Sequence, residues 1–95
     1  MDHLLTLLTI EKAKELRFRA ASPPVIVFEG HQHPLQGPPI TGEDVIRLLR
    51  DLATSRQMRH LREYGSVDFV YTTRGRSPFL VSAKMKGENV IFDVS

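Results

Sequence analysis

Two helix-start signals stand close together in the middle of this chain, and on either side of them the residues alternate with period two. Thr41 can cap a helix, with Glu43 and Asp44 placed where the positive end of the helix dipole favours acids. Val45, Ile46, Leu48, Leu49 and Leu52 then form an apolar stripe, and Arg47 and Arg50 point away from it. Thr54 with Gln57 three residues on is a second capping box, so a new helix starts there instead of the first one continuing. Its inward residues are expected to be Met58, Leu61 and Tyr64, and Gly65 ends it.

The flanking regions read as strands. In residues 15–20, Leu16, Phe18 and Ala20 alternate with Glu15, Arg17 and Arg19, the pattern of a half-buried strand. Ser22-Pro23-Pro24 stops it, because proline donates no ladder hydrogen bond. Residues 25–29 are β-branched and aromatic, Gly30 supplies a turn with positive φ, and residues 32–35 form a short third strand. Beyond residue 65, Val67, Phe69 and Tyr71 alternate with Asp68, Val70 and Thr72. Phe79, Val81, Ala83 and Met85 alternate with Leu80, Ser82 and Lys84, and Val90, Phe92 and Val94 close the chain. Near the start, Asp2 can cap a helix whose stripe is Leu4, Leu7, Leu8 and Glu11, ending at about residues 12–14. The expectation is one α+β domain over residues 1–95, an antiparallel sheet of about six strands with helices packed on one face, in the order α-β-β-β-α-α-β-β-β.

Composition narrows the chemistry. The 95 residues hold no cysteine, which removes disulfides, thiolate catalysis and Cys-ligated zinc. The longest apolar-rich run, residues 4–10, is broken by Thr6 and Thr9, whereas a membrane-spanning helix needs about 20 residues. The Met1-Asp2-His3 start lacks the basic region of a secretory signal, so a cytoplasmic location is expected. Net charge is +2. The excess is local: Arg47, Arg50, Arg56, Arg59, Arg62, Arg74 and Arg76 face only Asp51, Glu63 and Asp68 in residues 47–76. Such a segment is a solvated helix face, or it attracts phosphate or an acidic partner surface.

The sequence holds no Gly-x-x-x-x-Gly-Lys-Ser/Thr phosphate loop, no Gly-x-Ser-x-Gly elbow and no His-Glu-x-x-His. Ser66, His60 and Asp68 carry the right groups for a nucleophile–base–acid set, but no spacing demands it. His31 and His33 share a strand face with Glu29 in phase, two imidazoles that would need further ligands to hold a metal; His3 and His60 are remote in sequence. They read as exposed hairpin histidines, and no metal is expected. Phe18, Phe28, Phe69 and Phe92 would line a ligand cavity in a small-molecule sensor, and fill the core otherwise. Tyr64, Phe69 and Tyr71 are too few, and two of them too core-directed, for a base-stacking platform.

Several stretches together resemble the start of the type IV pilus retraction ATPases, the PilT-like motors of twitching motility. Ala13-Lys14-Glu15-Leu16-Arg17-Phe18 is similar to their Ala-Ser-Asp-Leu-His-Leu strand, and Ser22-Pro23-Pro24 with Glu29-Gly30 to their Pro-Pro turn and hairpin. Leu35-Gln36-Gly37-Pro38-Pro39-Ile40-Thr41-Gly42-Glu43-Asp44 resembles their helix start, and residues 63–71 their Glu-x-Gly-Glu-Leu-Asp-Phe-Ser-Tyr strand start. The resemblance runs along essentially the whole chain, in order.

It implies the N-terminal, PAS-like domain of a type II/IV secretion ATPase, non-catalytic in itself and without bound cofactor. Its partner would be an ATPase motor domain of the same or a neighbouring subunit, or pilus or secretion machinery. The family carries Arg-Phe-Arg-Val-Asn in the penultimate strand, where this chain has Pro78-Phe79-Leu80-Val81-Ser82. The arginines that help contact nucleotide are absent, and Arg74 and Arg76 in the preceding loop are the residual candidates for a nucleotide or partner contact. Arg56, Arg59, Arg62, Arg74 and Arg76 are the expected docking rim, since guanidinium groups suit such rims. The alternatives are a free-standing PAS-like adaptor or small-ligand sensor, and a nucleic-acid module using the basic middle.

Overall fold

The chain forms one three-stranded meander toward each end, and the two meanders join in the middle of a single sheet. The computed structural model describes residues 2–10 and 13–95. Helix α1 (Asp2–Ile10) precedes strands β1 (Glu15–Phe18), β2 (Val25–Phe28) and β3 (His31–Pro34). Helices α2 (Gly42–Leu52) and α3 (Ser55–Tyr64) lead to β4 (Ser66–Tyr71), β5 (Phe79–Lys86) and β6 (Asn89–Val94). The element order is the one the sequence predicts. All pairings are antiparallel, and the six strands lie in the order β3-β2-β1-β6-β5-β4. The first strand therefore meets the last in the middle of the sheet, with Leu16 opposite Val94 and Phe18 opposite Phe92.

The helices begin where the side chains can cap them. Thr41 Oγ1 accepts the Asp44 N–H at 3.1 Å, and Asp44 Oδ2 accepts the Thr41 N–H at 3.1 Å. The second box repeats this: Gln57 N–H donates to Thr54 Oγ1 at 3.2 Å, and Thr54 N–H to Gln57 Oε1 at 2.9 Å. Between them Ala53 is extended, with φ −97° and ψ 146°, which separates α2 from α3. Gly65 ends α3 in the left-handed region at φ 82°, and its N–H bonds Leu61 O at 2.8 Å.

Alternation puts one sheet face in the core. Leu16, Phe18, Ile26, Val67, Phe69, Phe79, Val81, Val90, Phe92 and Val94 are buried together with Leu5, Leu8, Val45, Leu49, Leu52 and Leu61 of the helices. The Phe18 and Phe92 rings stack across the central seam at 4.4 Å. Each such side chain, fully buried, contributes about 1.5–3 kcal/mol.

Several expectations shift. In α1 the buried residues are Leu5 and Leu8, with Leu4 and Leu7 only half-buried, so the helix is rotated from the expected stripe; Glu11 and Lys12 lie outside the described residues. Asp2 is the first helical residue, not a cap before it, and Lys14 is already outside the helix, its N–H donating to Val27 O at 2.7 Å. Strand β1 ends at Phe18, not Ala20, because the chain turns at Ala21 (φ 67°). There Ala21 N–H bonds Ile40 O, and Ser22 bridges Ile40. Glu29 belongs to the β2–β3 turn, and β3 sits one residue earlier than expected. Tyr64 is 71% exposed, because it stands one helical turn on from the exposed His60 and shares its face; the two rings lie 4.6 Å apart.

Candidate functional site

The helices cover one face of the sheet and leave the other to solvent. Across the uncovered face the register sets Val25 beside Arg17, Arg17 beside Asp93, Asp93 beside Ser82 and Ser82 beside Asp68. From Arg17 to Asp68 this is a polar row through four strands. Arg17 Nε donates to Glu15 Oε1 at 2.5 Å, and its Nη1 reaches Gln32 Oε1 at 3.4 Å. The bond it donates to Glu15, then the carboxylate's charge, holds the Arg17 guanidinium above its ordinary pKa. The Ser82 hydroxyl donates to Asp68.

Arg19 anchors the neighbouring row. Its Nη1 donates to Phe18 O at 3.0 Å and Phe92 O at 3.3 Å, and lies 2.9 Å from Asp93 Oδ1. Asp93 Oδ1 is buried yet accepts no hydrogen bond among the described residues, so that contact is an ion pair without bond alignment. Arg19, Asp93, Ser82 and Asp68, with Ser66, Lys84 and Lys86, line a shallow groove of about 800 Å³. At one end of the same face Val70 and Leu80 lie opposite each other, 60% and 49% exposed. The face can take up a surface of mixed charge with a small apolar contact.

The arginines named from the sequence are divided among different places. Arg56, Arg59 and Arg62 are exposed on α3, which packs against β4 and β5 from the covered side. Arg74 is exposed in the β4–β5 loop. Arg76 is half-buried, and its Nη2 donates to Thr6 Oγ1 of α1 at 2.6 Å, pinning that loop to the first helix. Leu80 is exposed on the open face as a neutral side chain.

The other candidates are placed as follows. His60 Nδ1 meets the backbone O of Ser66 at 3.0 Å, and Asp68 is engaged by Ser82, so Ser66, His60 and Asp68 are not arranged as a triad. His31 and His33 are exposed on β3 with rings 5.0 Å apart, and Phe28 stacks on His31 at 5.1 Å. Among the described residues no three His, Asp or Glu side chains gather, so Glu29 does not join the pair. Phe18, Phe69 and Phe92 fill the core, while Phe28 sits at its margin. No helix among the described residues is long and apolar enough to cross a membrane. The polar row was missed in the sequence: its members are visible as the outward half of each alternation, but only the β1–β6 pairing brings them together.

In fold, the chain resembles the N-terminal domain of pilus-retraction and secretion ATPases. The crystal structure of the pilus retraction motor PilT with bound ADP matches at a TM-score of 0.78 and 24% identity, over 93% of this chain and 27% of that one. The X-ray structure of the ATPase DotB of Legionella pneumophila matches at 0.80 and 14% identity, over 99% of this chain and 28% of that one. The chain thus spans little more than a quarter of either protein's length. No family model matches it. No curated protein matches it.

Proposed function

We propose that residues 1–95 act as one non-catalytic domain of the kind found in pilus-retraction and type II secretion ATPases, working by contact with an ATPase motor domain or with pilus machinery in the cytoplasm. The observation that carries this reading is the fold likeness to PilT and DotB over nearly the whole chain. The absence of a phosphate loop from the sequence supports a role without nucleotide hydrolysis. The uncovered face, with its mixed charges and its exposed Val70–Leu80 pair, supports docking on a protein surface. The open-face strand position that carries arginine in the family is Leu80, which offers phosphate no charge-assisted bond.

Two measurements test the reading. Calorimetric titration with ATP should give no heat of binding, and micromolar affinity would overturn the loss of nucleotide contact. Titration with a purified motor domain from a pilus or secretion ATPase of the same cell should give saturable binding. Absence of binding to every such motor would overturn the docking role.

A further inference from the structure

A second groove of about 460 Å³ lies on the other side of the molecule, between α2, α3 and the β5–β6 hairpin. Its walls are apolar: Ile46, Met58, Leu61, Met85 and Val90 line it. Leu61 and Val90 are buried, whereas Ile46, Met58 and Met85 remain half-exposed. Two of the chain's three methionines stand here, and the unbranched, polarisable thioether adapts to differently shaped partners. The charged and polar side chains that line the groove are all exposed, so nothing inside it orients a small polar ligand. The recognition groups stand on its rim.

That rim is dipolar. Arg50 and Arg62 line the groove, are exposed, and make no ion pair among the described residues. The groove continues past Ile46 into a hollow lined by Glu43, Glu88 and Asn89. Glu88 borders both parts, Glu43 only the second, and the arginines only the first. Along α2 the order Glu43, Ile46, Arg50 keeps to one helix face, so negative, apolar and positive groups follow one another in line. A continuous run of phosphates would meet Glu43 and Glu88 at one end, which disfavours nucleic acid.

We infer that this groove seats an amphipathic protein segment whose apolar side chain lies against Met58 and Met85, with a carboxylate toward Arg50 and Arg62 and a lysine toward Glu43 and Glu88. The inference rests on the reading that the chain acts through protein contact, and adds the place and the chemistry of one such contact. Charge order gives the segment a direction, and the methionines give tolerance in the apolar anchor.

The probe is a capped synthetic peptide with a lysine, two leucines and two glutamates in that order, followed by amide NMR and fluorescence anisotropy. Shifts should concentrate at Ile46, Met58, Met85 and Val90. The double variant Arg50→Glu, Arg62→Glu should weaken binding about tenfold, and a peptide with lysine and glutamate exchanged should bind less tightly to the parent chain. Both arginines are exposed, so circular dichroism should show the variant folded. Shifts confined to the open sheet face, or equal affinity for the two peptides, would overturn the inference. So would sedimentation showing a dimer of this chain that the double variant dissolves, since the occupant would then be a second copy. If a motor domain binds parent and double variant equally, the inference fails and the proposed function stands. If no motor domain binds the parent chain, the proposed function fails whatever the peptide does.

Discussion

In the first meander, β1–β3, each strand is four residues long and the buried side chains are Leu16, Phe18 and Ile26. In the second, β4–β6, strands run six to eight residues and bury a side chain at nearly every inward position. The helices explain much of the difference. α2 packs on β6 and α3 on β4 and β5, and their apolar stripes lie over the second meander. Strand β3 is exposed at all four positions and holds to the sheet through β2. A hairpin needs an apolar cover to gain stability from burial, and the first meander shares only part of that cover. Its anchorage is the seam with β6 and the Ser22–Ile40 bridge at the proline corner.

The seam is where the contrast can be broken most sharply. Phe92→Ala should cost about 3–5 kcal/mol in urea unfolding, because it leaves Phe18 facing a cavity. Phe28→Ala, at the half-buried margin, should cost clearly less; equal losses would show the two meanders to be held alike. Next in size, Thr54→Ala should cost about 1 kcal/mol by removing the cap that starts α3 over the second meander.

Acid sharpens the picture at α2. The Thr41 backbone N–H, then the Thr41 hydroxyl and the Arg47 charge, hold the Asp44 carboxyl below its ordinary value of 3.8. A group with a lowered folded pKa stabilises above its unfolded pKa, and that stability is lost as pH falls through the folded value. Asp44→Asn should therefore flatten the dependence of the unfolding midpoint on pH below about 4, and an unchanged slope would remove Asp44 from the account. The smallest effect belongs to β3. His33→Thr should move stability by no more than about 0.5 kcal/mol, and β3 amides should exchange hydrogen well before those of β5. Slow exchange throughout β3 would contradict its peripheral place.

The parts legible in the sequence are those governed by neighbours a few residues away. Thr41, Thr54 and Gly65 mark the ends of α2 and α3 because capping is a matter of three or four residues. The alternation of β4–β6 is legible because one face is buried along its whole length. Tyr64 defeats the same reasoning: spacing from Leu61 sends it inward, but it also stands one turn on from His60 and shares that solvent-facing side. The candidate site was less legible. Arg17, Asp93, Ser82 and Asp68 belong to four different strands, and Arg76 meets Thr6 across 70 positions of chain. Strand order, which decides both, leaves no local mark.

Strand β6 lies between β1 and β5, and Leu80 and Ser95 exchange both backbone hydrogen bonds, at 2.8 and 2.9 Å, just past its end. A pull on Ser95 along the strand direction would load two ladders in shear at once. A pull on β3 would open a single ladder bond by bond. The fold thus offers a stiff handle at residue 95 and a compliant one at its outer hairpin.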